Sequence, residues 1–235
     1  MGSRSSSGVA LSAIALVACL VPVTAQARER GVVYASGVVS DDHSASVGAT
    51  IAAPGGRLGQ GWAFRFGVYG GDYSYDSGPF TVDADYLGAE AALVYQWSGD
   101  WGYGNVALGP RYANTDLSPS DPGNRREGSQ WDVALTVDGS RTFGPWAVTG
   151  YASYGFDLEE YYARADLTYQ VTPALALGVE IGAEGDNEDY SREVLGAVAR
   201  IHEDGQPWAV KLSAGVRDGD DDSSAYGAVT LSRTF

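Results

Sequence analysis

Eleven charged residues fall on one alternating phase of strand-like segments: Arg65, Glu90, Arg111, Asp132, Asp138, Asp157, Arg164, Asp166, Glu180, Glu184 and Lys211. Acids and bases sharing one face can neutralise each other, hydrogen-bond the hydroxyls of a sugar, or act as the acid and base of glycoside hydrolysis. Glu180 with Glu184 and Asp132 with Asp138 are carboxylate pairs of that last kind. Such pairs are expected by chance in a chain with 30 Asp and Glu, so they point to no hydrolase. The same balance gives a net charge of −15 with no cluster of Lys or Arg, which excludes nucleic acid as a partner.

Other chemistry is thin. Only two histidines exist. His43 precedes Ser44 and Ser46, and His202 stands beside Glu203 and Asp204; neither lies in a G-x-S-x-G setting, so no nucleophile is assigned and the chain is read as non-enzymatic. The run "DGDDD" at Asp218–Asp222 lacks the glycine at position six and the glutamate at position twelve of a calcium loop. No metal and no cofactor are expected.

The elements that carry these charges are strands. Glycine (32 residues), Tyr (15) and Trp (6) outweigh one Met and one Cys, and that composition favours strands and tight turns. Trp62, Phe64, Phe66 and Val68 alternate with Ala63, Arg65, Gly67 and Tyr69, and Leu87, Ala89, Leu93, Tyr95 and Trp97 alternate with Glu90 and Gln96. The same period of two recurs around Trp131–Asp138, Trp146–Phe156, Ala163–Tyr169 and Leu175–Glu184. Short connections such as "SGD" (Ser98–Asp100), "FGP" (Phe143–Pro145) and "TP" (Thr172–Pro173) take turns with longer acidic ones: "DYSYDSGPFTVDAD" (Asp72–Asp85), "NTDLSPSDPGNRREG" (Asn114–Gly128), "DLEEY" (Asp157–Tyr161), "GDNED" (Gly185–Asp189) and "DGDDDSS" (Asp218–Ser224).

Turns at one end and polar loops at the other describe an all-β, antiparallel up-and-down transmembrane β-barrel. The pattern predicts about 12 strands, at 32–40, 45–53, 61–72, 84–98, 101–113, 128–143, 145–157, 160–171, 174–184, 190–202, 207–217 and 224–235, with ten as the smaller alternative. The outward phase is ambiguous in the first two and in 190–202. Five of the six tryptophans, Trp62, Trp97, Trp101, Trp146 and Trp208, fall beside short turns, as in an interfacial aromatic girdle. With the apolar faces toward lipid, the eleven charges line the lumen, since a charge on the lipid side costs roughly 2–4 kcal/mol near the midplane. There they either fill the barrel as pairs, together with Tyr69, Tyr86 and Tyr151, or border a polar conduit or carbohydrate-binding lumen.

The segment before the strands reads as a signal peptide over residues 1–27, with the barrel domain over 28–235. Arg4 supplies a basic start, "VALSAIALVACLV" (Val9–Val21) an apolar core and "AQA" (Ala25–Ala27) a small-x-small cleavage site. "LVAC" (Leu16–Cys19) also fits a lipoprotein box, but the apolar "LVPV" after it favours cleavage at Ala27, which removes the only cysteine. The last stretch, "AYGAVTLSRTF" (Ala225–Phe235), alternates to its end, and Phe235 is the expected signal for barrel assembly. Expected partners are therefore outer-membrane lipid and lipopolysaccharide, whose phosphates share divalent cations with acidic loops, and the barrel assembly machinery.

The runs "SYDSG" (Ser74–Gly78), "WGYGNVALGPRYANTDLSPSDPGNRREGSQW" (Trp101–Trp131) and "GDNEDY" (Gly185–Tyr190) resemble the cellulose biosynthesis protein BcsS family of alphaproteobacteria, and the likeness follows most of the chain in order. Its most specific part is "TDLSPSDPGN" (Thr115–Asn124) after "GPRY". The resemblance implies an exported outer-membrane barrel in the envelope stage of cellulose production, as a structural element or a passage element for the glucan, with cellulose or cellulose synthase components as partners. It brings no catalytic motif. The alternative is a small porin or surface barrel with no polysaccharide role.

Overall fold

The computed structural model describes residues 29–186, 190–203, 205–219 and 223–235. The expected signal peptide with Cys19, Asp204, and the tips of the "GDNED" and "DGDDD" loops lie outside the described residues. Twelve strands follow in order: β1 (Gly31–Val39), β2 (His43–Ala52), β3 (Gly61–Ser77), β4 (Phe80–Gly99), β5 (Gly102–Ser118), β6 (Gly128–Phe143), β7 (Trp146–Gly155), β8 (Tyr161–Thr172), β9 (Leu175–Gly185), β10 (Ser191–His202), β11 (Trp208–Gly219) and β12 (Ser223–Thr234). Every strand pairs with its chain neighbour, and β1 pairs with β12, which closes the sheet. Closure leaves no unpaired edge, the condition for a sheet to stand in hydrocarbon.

The outer surface is apolar where lipid would touch it. Trp62, Phe64, Phe66 and Val68 of β3 point out, as do Leu87, Leu93, Tyr95 and Trp97 of β4. The outward run from Leu87 to Trp97 has the length, roughly 9–11 residues, that a tilted strand needs to cross a bilayer. Aromatics mark both limits. At the turn end Trp62 meets Tyr95 edge-on at 5.0 Å, Trp146 meets Tyr169 at 5.0 Å, and the Arg233 guanidinium lies 4.9 Å over Trp208. At the loop end Tyr112 meets Trp131 at 5.1 Å.

One hairpin is longer than its sequence suggests. The acidic stretch Asp72–Asp85, expected as a loop, is strand: β3 and β4 stay in register to the pair Ser77 and Phe80, and turn on Gly78 at φ 60°. Its carboxylates do not break the strand because they point outward above the apolar band, where water replaces lipid. β5 likewise runs on to Ser118, which shortens the expected 114–128 loop to 119–127. In β1 and β2 the register settles the phase, since Tyr34 faces Gly48 on the inner side and Val39 faces outward at the loop end.

The seam is held by the last residue. The Phe235 carbonyl accepts from Arg30 N at 2.6 Å and Gly31 N at 3.1 Å, Phe235 N donates to Gly31 O at 2.9 Å, and its ring occupies the place of a Cβ on Gly31. Phe235→Ala is therefore expected to reduce heat-modifiable, membrane-assembled protein well below Phe143→Ala, which removes only an outward ring at the end of β6. Equal amounts of the two variants in the membrane fraction would contradict this.

Candidate functional site

Side chains that meet across strands not adjacent in the sheet can do so only through the barrel interior, and this identifies the lumen. Arg65 on β3 donates to Asp138 on β6 at 2.5 Å, and Asn105 on β5 donates to the other oxygen of Asp138 at 2.7 Å. Lys211 on β11 lies 3.1 Å from Asp166 on β8 and also bonds Glu180 on β9, whose second oxygen accepts from the Tyr226 hydroxyl at 2.8 Å. Arg200 on β10 grips Asp166 with two nitrogens, at 3.1 and 2.8 Å. Arg217 on β11 bonds Glu184 on β9 and Asp42 in the β1–β2 loop, and Arg164 reaches the other oxygen of Glu184 at 2.9 Å. Arg111 joins Asp132 at 2.6 Å to Glu160 at 3.0 Å.

Ten of the eleven expected lumen residues thus project inward, Glu90 among them. Asp157 does not. It lies past the end of β7 on the exposed β7–β8 turn, and only its backbone N–H touches the lumen set, donating to Asp132 at 2.9 Å. Alternation holds only within a strand, and β7 ends at Gly155, two residues before Asp157. Conversely, Arg192, Arg200 and Arg217 belong to the lumen without having been singled out. The Arg217 phase was readable from Lys211, six residues earlier on the same strand; the phase of β10 was not.

The pairs are buried as well as bonded, with Asp132 at 3%, Asp166 at 4% and Glu180 at 4% exposure. Carboxylates so desolvated stay charged only against cations. Glu90 is the exception. Arg111, its cross-strand neighbour, is committed to Asp132 and Glu160, and among the described residues no hydrogen bond or ion pair reaches the Glu90 carboxylate. It stands within electrostatic range of the tyrosines Tyr34, Tyr69 and Tyr151.

Several inward rings lie against the wall over glycines. Tyr34 lies over Gly48, its register partner on β2, so closely that a Cβ there would meet the hydroxyl at 2.5 Å and the ring at 2.6 Å. Tyr69 lies in the same way over Gly88, and Tyr226 reaches across its own partner Gly215 to Gly196, two strands away. Glu90 leans over Gly67, with a Cβ position 3.2 Å from its Cγ and Oε1. Glycine at these positions is what allows bulky residues to lie against the sheet. Of the residues expected to fill the lumen, Tyr69 lies over Gly88, while Arg65 with Asp138 and Lys211 with Asp166 bridge non-adjacent strands across the interior.

The loop end is covered. The β5–β6 loop, residues 119–127, sends Arg126 to Asp186 in the β9–β10 loop at 2.7 Å and to Glu160 at 3.4 Å, and its guanidinium lies 5.7 Å over the Tyr190 ring. The same guanidinium lies beside the Tyr73 hydroxyl on β3. β3 and β9 are on opposite walls of the twelve-stranded ring, so Arg126 spans the mouth. Asn124 and Asp121 of this loop are anchored to the Tyr75 hydroxyl, at 2.8 and 3.0 Å. Beside it, Asp41 in the β1–β2 loop is subject to burial that would raise its pKa, but hydrogen bonds from Ser40 and Ser224 and the charge of Arg192 outweigh that and hold it down to about 2.

Neither histidine meets a nucleophile. His43 opens β2 rather than lying in a loop, and its Nδ1 is 3.1 Å from Asp72; His202 closes β10 with Nδ1 3.1 Å from the Trp208 carbonyl. Among the described residues no three His, Cys, Asp or Glu are arranged to hold a metal ion.

Residues 32–235 match the family described as Cellulose biosynthesis protein BcsS. Among solved structures the chain is similar to the CymD monoaromatic hydrocarbon channel, at 8% identity and a TM-score of 0.56 over 89% of this chain and 90% of that one. It is also similar to the translocator domain of the autotransporter NalP from Neisseria meningitidis, at 14% identity and a TM-score of 0.53 over 89% of each chain. The β domain of the Bordetella autotransporter BrkA gives 13% identity and a TM-score of 0.53 over 89% of this chain and 100% of that one. At such identities these likenesses speak for the fold alone, which is that of outer-membrane barrels. No curated protein sequence matches the chain.

Proposed function

The chain belongs to the cellulose biosynthesis protein BcsS family, and from that membership we propose that it is a non-enzymatic outer-membrane barrel through which the glucan leaves the cell. The observation that carries this reading is the lining itself: inward tyrosines lie over Gly48 and Gly88, and Glu90 stands among them without a cation, so the inner wall offers polar and aromatic groups that are not all consumed by ion pairs. Leu or Val at the glycine positions would strengthen the strands, but would displace the rings that lie over them. The β5–β6 loop then acts as the cover of the outer mouth, held by Arg126. The turn end faces the periplasm, where cellulose synthase components would deliver the chain, and the apolar band with its girdles meets lipid and lipopolysaccharide. Export by residues 1–27 and assembly through Phe235 complete this reading.

Cells lacking the protein are expected to lose surface cellulose while glucan synthesis by their isolated inner membranes is unchanged. Unaltered surface cellulose would overturn the passage role and leave a general small porin.

A further inference from the structure

We infer that the inner wall of β1–β4 carries a pyranose-binding subsite built from Tyr34, Tyr69 and Glu90. This rests on the passage reading above and adds the point at which the glucan touches the barrel. One inward row runs across the sheet in register: Tyr34, Gly48, Gly67, Glu90. Tyr34 leans into the row from one end and Glu90 from the other, over two successive glycines, and Tyr69 lies over Gly88, two residues before Glu90 on the same strand. A ring pressed on glycine has one face on the backbone and offers the other to the lumen. Flat aromatic faces receive the axial C–H groups of a pyranose, and a carboxylate accepts from its equatorial hydroxyls.

Glu90 is the group free for that task. Each of the lumen carboxylates Asp132, Asp138, Asp166, Glu180 and Glu184 is bound to an arginine or lysine, whereas Glu90 is held among tyrosines without a cation against it. A carboxylate left over from a charge-filled lumen would be expected to seek the adjacent Arg111; here Arg111 turns to Asp132 and Glu160. The row lies at mid-strand in β2 and β3, away from the Arg126 cover. The ligand class is a neutral oligosaccharide of β-linked pyranoses, whose alternating flat faces suit two rings and one acceptor along a wall.

Titration of the full barrel, folded in detergent, with cellohexaose and separately with maltohexaose tests this. Wild type is expected to bind cellohexaose, and Glu90→Gln and the Tyr34→Leu/Tyr69→Leu pair to bind it about tenfold more weakly, the loss of roughly one charged hydrogen bond or one stacked face. Heat-modifiable migration of each variant confirms that it is folded. Equal affinity in wild type and folded variants overturns the subsite and leaves the passage role standing. Equal affinity for both sugars, lost in the variants, supports the subsite and overturns its dedication to cellulose. Absence of cellohexaose binding to wild type overturns the subsite outright.

Discussion

Glu184→Ala is expected to lower the unfolding free energy of the barrel by roughly 3–5 kcal/mol, the range for removing one partner of a buried ionic set. Glu184 is 6% exposed and is shared by Arg164 from β8, Arg217 from β11 and the Tyr190 hydroxyl. With the carboxylate gone, Arg217 keeps Asp42, but Arg164 keeps no carboxylate, only the Tyr162 hydroxyl at 3.0 Å and the rings of Tyr162 and Tyr226 at 5.1 and 5.9 Å, and one of its terminal nitrogens already lacks a partner. An uncompensated guanidinium then remains in the lumen wall. The control is His43→Ala, which removes an exposed contact with Asp72, a pair whose two side chains are about half exposed, at 48% and 50%. Exposed pairs contribute about 0–1 kcal/mol, so that change is expected to be hard to detect. Urea unfolding from lipid vesicles compares the two. Similar midpoints would mean that lumen water screens Glu184 as well as bulk solvent screens His43.

Much of this architecture was legible in the sequence because lipid imposes the alternation directly. An outward charge in the band is costly and an outward apolar residue is not, so Phe64, Phe66, Leu93 and Val179 fix the phase of their strands, and Arg65, Glu90 and Glu180 follow as inward. Where both phases hold small or mixed residues the rule has nothing to act on. On β10, outward Ala197 and Ala199 face inward Val194 and Val198, and Arg192 and Glu193 are both charged, so only pairing with β9 and β11 shows that Arg192 and Arg200 point inward. The hairpin beyond Leu87 was misread for the opposite reason. Asp72, Asp83 and Asp85 look like loop residues, yet above the membrane an outward acid is at no disadvantage in a strand.

The lumen's geometry was still less visible. Abundant glycine suggested turns, whereas Gly48, Gly67 and Gly88 sit in mid-strand and matter through the residues paired with them, Tyr34, Glu90 and Tyr69. Such pairings depend on register between strands, which no local pattern reveals. The mouth is similar: Arg126 meets a carboxylate sixty residues away in sequence. The "TDLSPSDPGN" stretch (Thr115–Asn124) that carries the family resemblance overlaps this loop and includes its anchors Asp121 and Asn124, so the most distinctive sequence feature forms part of the cover of the mouth.

The central proposal is that the lumen passes solute and that the β5–β6 loop closes its outer mouth, and conductance in planar bilayers tests it most directly. Replacing residues 119–127 with two glycines removes Arg126 and both anchors to Tyr75 while leaving every lumen-wall residue in place. The account predicts small, interrupted currents for wild type and a steady, severalfold larger conductance for the shortened barrel. A shortened barrel that is folded, as shown by heat-modifiable migration, yet conducts no more than wild type would contradict the account, because the obstruction would then lie in the wall side chains themselves.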